Sequence, residues 1–128
     1  RTPDTEFDIR GLDSRPRVDV AYSYAGSDGT AIKAFPAAGA TGIVSAGFAP
    51  ALVTPGEFEE LKEAVKAGVI VVQSTRAGSG RTFRGQKLRE AGILIADNLN
   101  PQKARILLML ALTRTTDVAE ITRMFAEY

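Results

Sequence analysis

The 128-residue sequence predicts an α/β fold: a small parallel four-stranded sheet with helices on both faces, Rossmann-like and three-layered. Three observations predict it. Short runs of β-branched and other apolar residues recur along the chain. They are apolar at nearly every position, the pattern of strands buried on both faces. Between them lie stretches with helical spacing and helix start and stop residues. The two kinds of segment alternate, and strand–helix–strand units joined by right-handed crossovers place successive strands parallel.

Taken in order, residues 1–17, RTPDTEFDIRGLDSRPR, are polar and interrupted by Pro3, Gly11 and Pro16. They read as a linker or lead-in segment ahead of a domain spanning 18–128. VDVAYSY, from Val18 to Tyr24, is rich in β-formers and ends at the turn AGSDG. TAIKAFPAAG follows as a helix, with Ile32 and Phe35 on one face and Pro36 shortening or bending it. TGIVSAGF is a short buried strand. TPGEFEELKEAVKAG carries a full set of helix signals: Thr54 caps, Pro55 starts, acidic residues crowd the first turns and Gly68 stops it. Phe58, Leu61 and Val65 are its predicted buried face. VIVVQST, Val69 to Thr75, is the next strand. A polar, glycine-rich loop with five basic residues, Arg76 to Arg89, then leads to GILIADN, predicted as a further buried strand.

The following helix opens with Asn100 as cap and Pro101 in the first helical position, where its missing N–H costs nothing. Seven consecutive apolar residues, Ile106 to Leu112, then leave it almost no wet face. A helix apolar all round must be covered all round, so the sequence predicts that something besides the sheet packs on it: another domain or another copy. A last helix runs from Asp117 to about Tyr128.

Composition narrows the function. Sixteen Lys and Arg against 15 Asp and Glu give a net charge of +1, unlike the strong basic excess of a dedicated nucleic-acid binder. The apolar runs fall far short of the roughly 20 residues that span a bilayer. No Cys and no His occur, which removes Ser-His-Asp and Cys-His catalysis, disulfides, and thiolate or imidazole metal ligation within this chain. No cofactor motif is present. Chemistry here would rest on carboxylates, Lys, Arg, Tyr and hydroxyls.

In parallel α/β sheets ligands sit beyond the C-terminal strand ends. AGSDGT, after the first strand, lacks both the G-x-G-x-x-G and the G-x-x-x-x-G-K-[ST] patterns, so a tight turn capped by Ser27 or Asp28 is favoured over an anion cradle. RAGSGRTFRGQK could gather Arg76, Arg81, Arg84 and Lys87 around a phosphate or carboxylate, but a solvated loop carries more weight. Asp28, Glu90 and Asp97 lie on different segments, and nothing local sets their separation. The residues alone therefore predict a parallel α/β domain without a catalytic constellation of its own.

DTEFDIRGLDSRPRVDVAYSYAGSD, GIVSAGF, VVQSTRAGSG and above all LNPQKARILLMLALTRT followed by FAEY resemble the C-terminal domain of bacterial L-asparaginases of the type II, glutaminase-asparaginase kind. The resemblance runs the length of the chain. It implies a fragment that begins in the linker between two domains. The nucleophilic Thr of a TGGTIA-like motif and a Thr-Asp-Lys set would belong to an N-terminal catalytic domain that this sequence does not contain. It implies hydrolysis of the Asn side-chain amide, and to varying degrees that of Gln, through an acyl-enzyme. It further implies assembly as a homodimer and homotetramer, in which this domain lends residues to the neighbouring active site.

Two such residues bind the α-amino end of the amino-acid substrate: an Asn or Ser after the second strand and a Glu after the third. Position by position they fall at Leu52 and at or near Lys87, with Glu90 as a stand-in three residues on. Leu52 cannot accept a hydrogen bond, and Lys87 repels an ammonium group. Two readings from other classes stay open at this point: a non-catalytic amino-acid-sensing domain and a structural oligomerisation module.

Overall fold

The computed structural model describes residues 5–8, 10, 15–48, 53–75 and 86–128. Four strands form one sheet in the order β1 (Val18–Tyr22), β2 (Gly42–Gly47), β3 (Ile70–Thr75), β4 (Leu94–Ile95). All neighbours are parallel, with Val20 opposite Val44, Val44 opposite Val72, and Val72 opposite Leu94. A sheet that grows strand by strand in one direction carries its right-handed crossovers on a single face. α1 (Thr30–Ala37), α2 (Pro55–Lys66) and α3 (Gln86–Glu90) accordingly share one cluster, in which Ile32, Phe58, Leu61 and Leu88 pack against Ala21, Ile43 and Val71. The opposite face is covered by α4 (Pro101–Leu112) and α5 (Val118–Glu127). Ala104, Leu107, Leu108, Ile121 and Phe125 pack there against Val18, Val44 and Val72. Ile43 and Val44 thus face different cores one residue apart, and every residue of β2 and β3 is buried.

The helix starts follow the sequence signals. Thr54 Oγ1 accepts from the Glu57 N–H at 3.2 Å and the Glu57 carboxylate accepts from the Thr54 N–H at 2.9 Å, a reciprocal capping box. Asn100 Oδ1 accepts from the Lys103 N–H at 2.8 Å, and Asp117 from the Ala119 N–H at 3.1 Å. Gly68, at φ +92°, supplies the left-handed residue that ends α2. α1 stops one residue beyond Pro36. At Gly42 the missing side chain lets α4 close on β2: a Cβ there would lie 2.8 Å from Leu108 Cδ2 and 3.1 Å from Leu112 Cδ1.

Four expectations change. The first strand ends at Tyr22, not Tyr24, although the Ser23 N–H still reaches the Ala46 carbonyl at 2.8 Å. The buried face of α2 comprises Glu57, Phe58, Leu61 and Ala64, while Val65 is only partly covered. The end of the basic loop, Gln86–Glu90, is helical and anchored by buried Leu88. The last strand shrinks to Leu94–Ile95, because after Ala96 the chain turns through the left-handed region at Asp97, φ +57°.

The apolar helix α4 has an uneven cover. Its Ala104, Leu107, Leu108 and Ala111 are buried, Met109, Leu110 and Leu112 are half-buried, and Ile106 is 51% exposed. Beside Ile106 lies a groove of ≈ 270 Å³ whose walls include Leu99, Leu107 and Leu110. Arg105 turns back instead to donate to the Val18 carbonyl at 2.7 Å, occupying part of the open edge of β1. No helix among the described residues is long and apolar enough to cross a membrane.

Candidate functional site

The C-terminal strand ends gather a continuous polar network around one carboxylate. Glu57, in the first turn of α2, is 3% exposed, and its Oε1 accepts from Ser23 Oγ at 2.9 Å as well as from the Thr54 N–H. Thr54 Oγ1 donates to the Ser27 carbonyl at 2.9 Å. The Ser27 N–H donates to the Tyr24 carbonyl at 2.9 Å, while Ser27 Oγ accepts from the Tyr24 N–H at 3.2 Å. The end of β1, the turn after it and the start of α2 are therefore joined through Ser23, Ser27, Thr54 and Glu57. Close backbone approach makes this possible, since a Cβ on Gly29 would lie 2.8 Å from the Gly56 carbonyl oxygen.

The turn capping is divided. The residue that caps α1 is Gly29, which has no side chain to offer. Asp28 does the capping work instead, with Oδ1 accepting from the Thr30 N–H at 3.0 Å. That bond holds the Asp28 carboxyl below its ordinary range. Ser27 closes the preceding turn rather than the helix.

On β3, Gln73 is fully buried and donates from Nε2 to the Ser45 and Ser74 carbonyls at 3.0 and 3.1 Å, and its Oε1 has no partner among the described residues. Ser74 Oγ donates to the Leu99 carbonyl at 3.0 Å, tying β3 to the segment that enters α4. Thr75 is buried at the strand end.

The resemblance-derived positions separate. Lys87 lies in α3 with Nζ 4.3 Å from the centroid of the Phe58 ring, and Lys62 approaches the same ring at 5.1 Å. Glu90 is exposed and accepts from Gln86 Nε2 at 2.9 Å, one helical turn away. Leu52, Arg76, Arg81 and Arg84 lie outside the described residues. Asp28 is engaged with the Thr30 N–H and Glu90 with Gln86, and among the described residues no group of three or more Asp or Glu side chains could hold a metal ion. Glu57 was not singled out from the sequence as a site residue. The T-x-x-E spacing of TPGE marks it as a helix-start residue, but its bond to Ser23 crosses 34 positions.

Chemically, this end of the sheet is a rigid polar floor. Ser23 and Glu57 form a hydroxyl–carboxylate pair, yet Ser23 is 0% exposed, so its oxygen cannot meet a substrate. The arrangement suits presentation of neighbouring loops, not attack by its own groups.

Residues 17–125 match the model of the glutaminase/asparaginase C-terminal domain. The chain belongs to that family. Among its relatives are L-asparaginase 2 of Bacillus subtilis, 43% identical over 127 residues, and L-asparaginase 2 of Escherichia coli, 40% identical over 129. A glutaminase-asparaginase of Pseudomonas fluorescens is 42% identical over 134 residues. Each alignment takes in 99% of this chain but only 34%, 37% and 36% of the respective relative, so the chain spans little more than a third of their length. The crystal structure of a probable cytoplasmic L-asparaginase from Campylobacter jejuni superposes with a TM-score of 0.91 at 40% identity, over 96% of this chain and 40% of that one. The asparaginase C-terminal domain fold, with its parallel sheet between two helix layers, is therefore the fold of this chain.

Proposed function

We propose that this chain is the C-terminal domain of an L-asparaginase-like amidohydrolase. In this reading the whole protein hydrolyses the side-chain amide of L-asparagine to L-aspartate and ammonia, with the Thr nucleophile in the N-terminal catalytic domain. The domain described above serves assembly of a homodimer or homotetramer and completes the neighbouring active site. The observation that carries the reading is the pairing of near-complete coverage of this chain with about a third of each relative. The sealed Ser23–Glu57 pair supports it from the other side, as this domain exposes no nucleophile–base pair there. The half-exposed Ile106 beside its apolar groove supports packing of α4 on the rest of such an assembly.

Incubated with L-asparagine, the purified 128-residue chain is expected to release no ammonia, and the full-length parent is expected to release it. Turnover by a mass-verified fragment would overturn the division of labour. An inert parent that still bound asparagine would favour an amino-acid-sensing domain.

Leu52, Lys87 and Glu90 are the positions through which this domain would meet the substrate of its neighbour. Lys87 brings a cation where a partner for an α-ammonium group is needed, and Leu52 brings no acceptor. A charge-assisted hydrogen bond contributes about 1.5–3 kcal/mol, and 1.4 kcal/mol is tenfold in affinity. In the full-length parent, Leu52→Asn combined with Lys87→Glu is therefore expected to lower KM for asparagine by about tenfold or more. Steady-state kinetics check this, and an unchanged or raised KM counts against these positions.

A further inference from the structure

Among the described lead-in residues, Glu6 and Phe7 do not hang free but contact the C-terminal end of the chain. Glu6 accepts through Oε2 from Arg123 of α5 at 2.7 Å, and through Oε1 from the Tyr128 hydroxyl at 3.3 Å. Its backbone carbonyl accepts from Arg114, in the turn between α4 and α5, at 3.0 Å. The adjacent Phe7 ring packs at 51° to the Tyr128 ring with centroids 5.4 Å apart, a tilted geometry favourable for aromatic pairs. Both rings also pack against the α4–α5 core cluster. Arg123 is itself held in place by Glu120 at 3.2 Å and Glu127 at 2.6 Å on its own helix, so the guanidinium that meets Glu6 is pre-oriented. The Arg123 guanidinium keeps the Glu6 carboxyl below its ordinary range, and Glu6 in turn raises Arg123.

We propose that residues 5–8 are a latch: Glu6 and Phe7 clasp Tyr128 and α5, Thr5 and Phe7 line the groove beside α4, and the segment can open as a unit while the sheet stays folded. Two features carry this. First, the clasp acts at two adjacent residues, a ring contact at Phe7 and the hydrogen bonds of Arg114, Arg123 and Tyr128 at Glu6, so the backbone between them is fixed at two points. Second, few residues hold it: Glu6 and Phe7 are only partly buried, and Thr5 and Asp8 on either side are exposed. Segments with few buried apolar contacts open locally at far lower free energy than the core. The groove wall depends on the closed state. Thr5, Phe7 and Tyr128 line it together with Leu107 and Leu110, and opening would expose that side of α4. Where the proposed N-terminal domain is present, the latch would set the direction in which the chain enters this one. That last clause rests on the proposed function; the latch does not.

Chymotrypsin tests it in the 128-residue chain, because Phe7 must leave the Tyr128 ring before the protease can seat it. Tyr128→Ser combined with Glu6→Gln is expected to speed cleavage after Phe7 by about tenfold or more. Backbone amide exchange at Val44 and Val71 should stay unchanged in the same variant. Equal cleavage rates in the two proteins would overturn the latch, since its two contacts would then hold nothing. A matching acceleration at Val44 and Val71 would overturn it too, because strap and core would then open as one unit. The single Glu6→Gln change is the milder control, and an intermediate rate is expected. Neither outcome depends on asparagine hydrolysis, so failure of the latch and failure of the proposed function are separately visible.

Discussion

Leu108→Lys is expected to abolish cooperative folding of the chain or lower its Tm by roughly 10–30 °C, whereas Leu110→Lys leaves a folded domain that melts within a few degrees of the original. The two residues are two positions apart, and at about 100° per residue they point to nearly opposite sides of the helix. Leu108 is 0% exposed and sits on Gly42, where the helix comes closest to the sheet. A lysine ammonium there would have no described carboxylate beside it. An uncompensated buried charge costs on the order of 3–5 kcal/mol, a large share of the ~5–15 kcal/mol that holds a domain of this kind together. Leu110 is half-buried on the groove, so a lysine stem can follow the apolar wall and put its charge in water. Thermal melts followed by circular dichroism separate the cases. Equal melting of both variants would mean that α4 is not seated as described. In the full-length parent, Leu110→Lys is the variant that should alter native mass, since it changes the uncovered side while sparing the core.

Much of this fold was legible in the sequence because its signals are local. Asn100 with Pro101, and Thr54 with Pro55 and Gly68, act within one or two turns, so the cap geometry follows from neighbouring residues alone. β2 and β3 were legible because strands buried on both faces are apolar without a break. The misreadings have tertiary causes. In α2 the buried residues Phe58, Leu61 and Ala64 recur every three positions, which leaves Val65 at the margin of the core, partly covered and beside Gly92. α3 holds five residues and one buried anchor, too short for any period to show. β4 reads as a longer strand because GILIA is apolar throughout. Its end is set by the left-handed turn at Asp97, a conformation that an apolar run does not announce.

The candidate site was less legible for a related reason. A basic, glycine-rich stretch draws attention in a sequence, yet Lys87 spends its charge on the Phe58 ring, a contact between segments that no local spacing foretells. Glu57 is the opposite case. Its sequence context marks a helix start, and a buried carboxylate shared with Ser23 emerges only when β1 and α2 come together. Family resemblance reached what periodicity could not, naming the domain whose family matches residues 17–125.

Replacing Glu57 is the other change with a large expected effect. Glu57→Ala removes the acceptor for both the Ser23 hydroxyl and the Thr54 N–H, the first of them fully buried. Each buried donor left unsatisfied costs about 1–3 kcal/mol, and lost capping adds to that, so a loss of roughly 2–5 kcal/mol is expected. Glu59→Ala, two positions along the same helix with its side chain 65% exposed, should change stability by no more than about 0.5 kcal/mol. Glu57→Gln keeps an amide oxygen in place of Oε1 and is expected to lose less than half as much as Glu57→Ala. The pairing itself shows in a double-mutant cycle. With Ser23→Ala already present, Glu57→Ala orphans one donor fewer, so its cost should fall by about 1 kcal/mol. Urea midpoints at constant m-value measure all of these. If Glu57→Ala and Glu59→Ala shift the midpoint equally, the network at the strand ends is not what joins β1 to α2. If the shift is large and shrinks in the Ser23→Ala background, the join between β1 and α2 is the carboxylate.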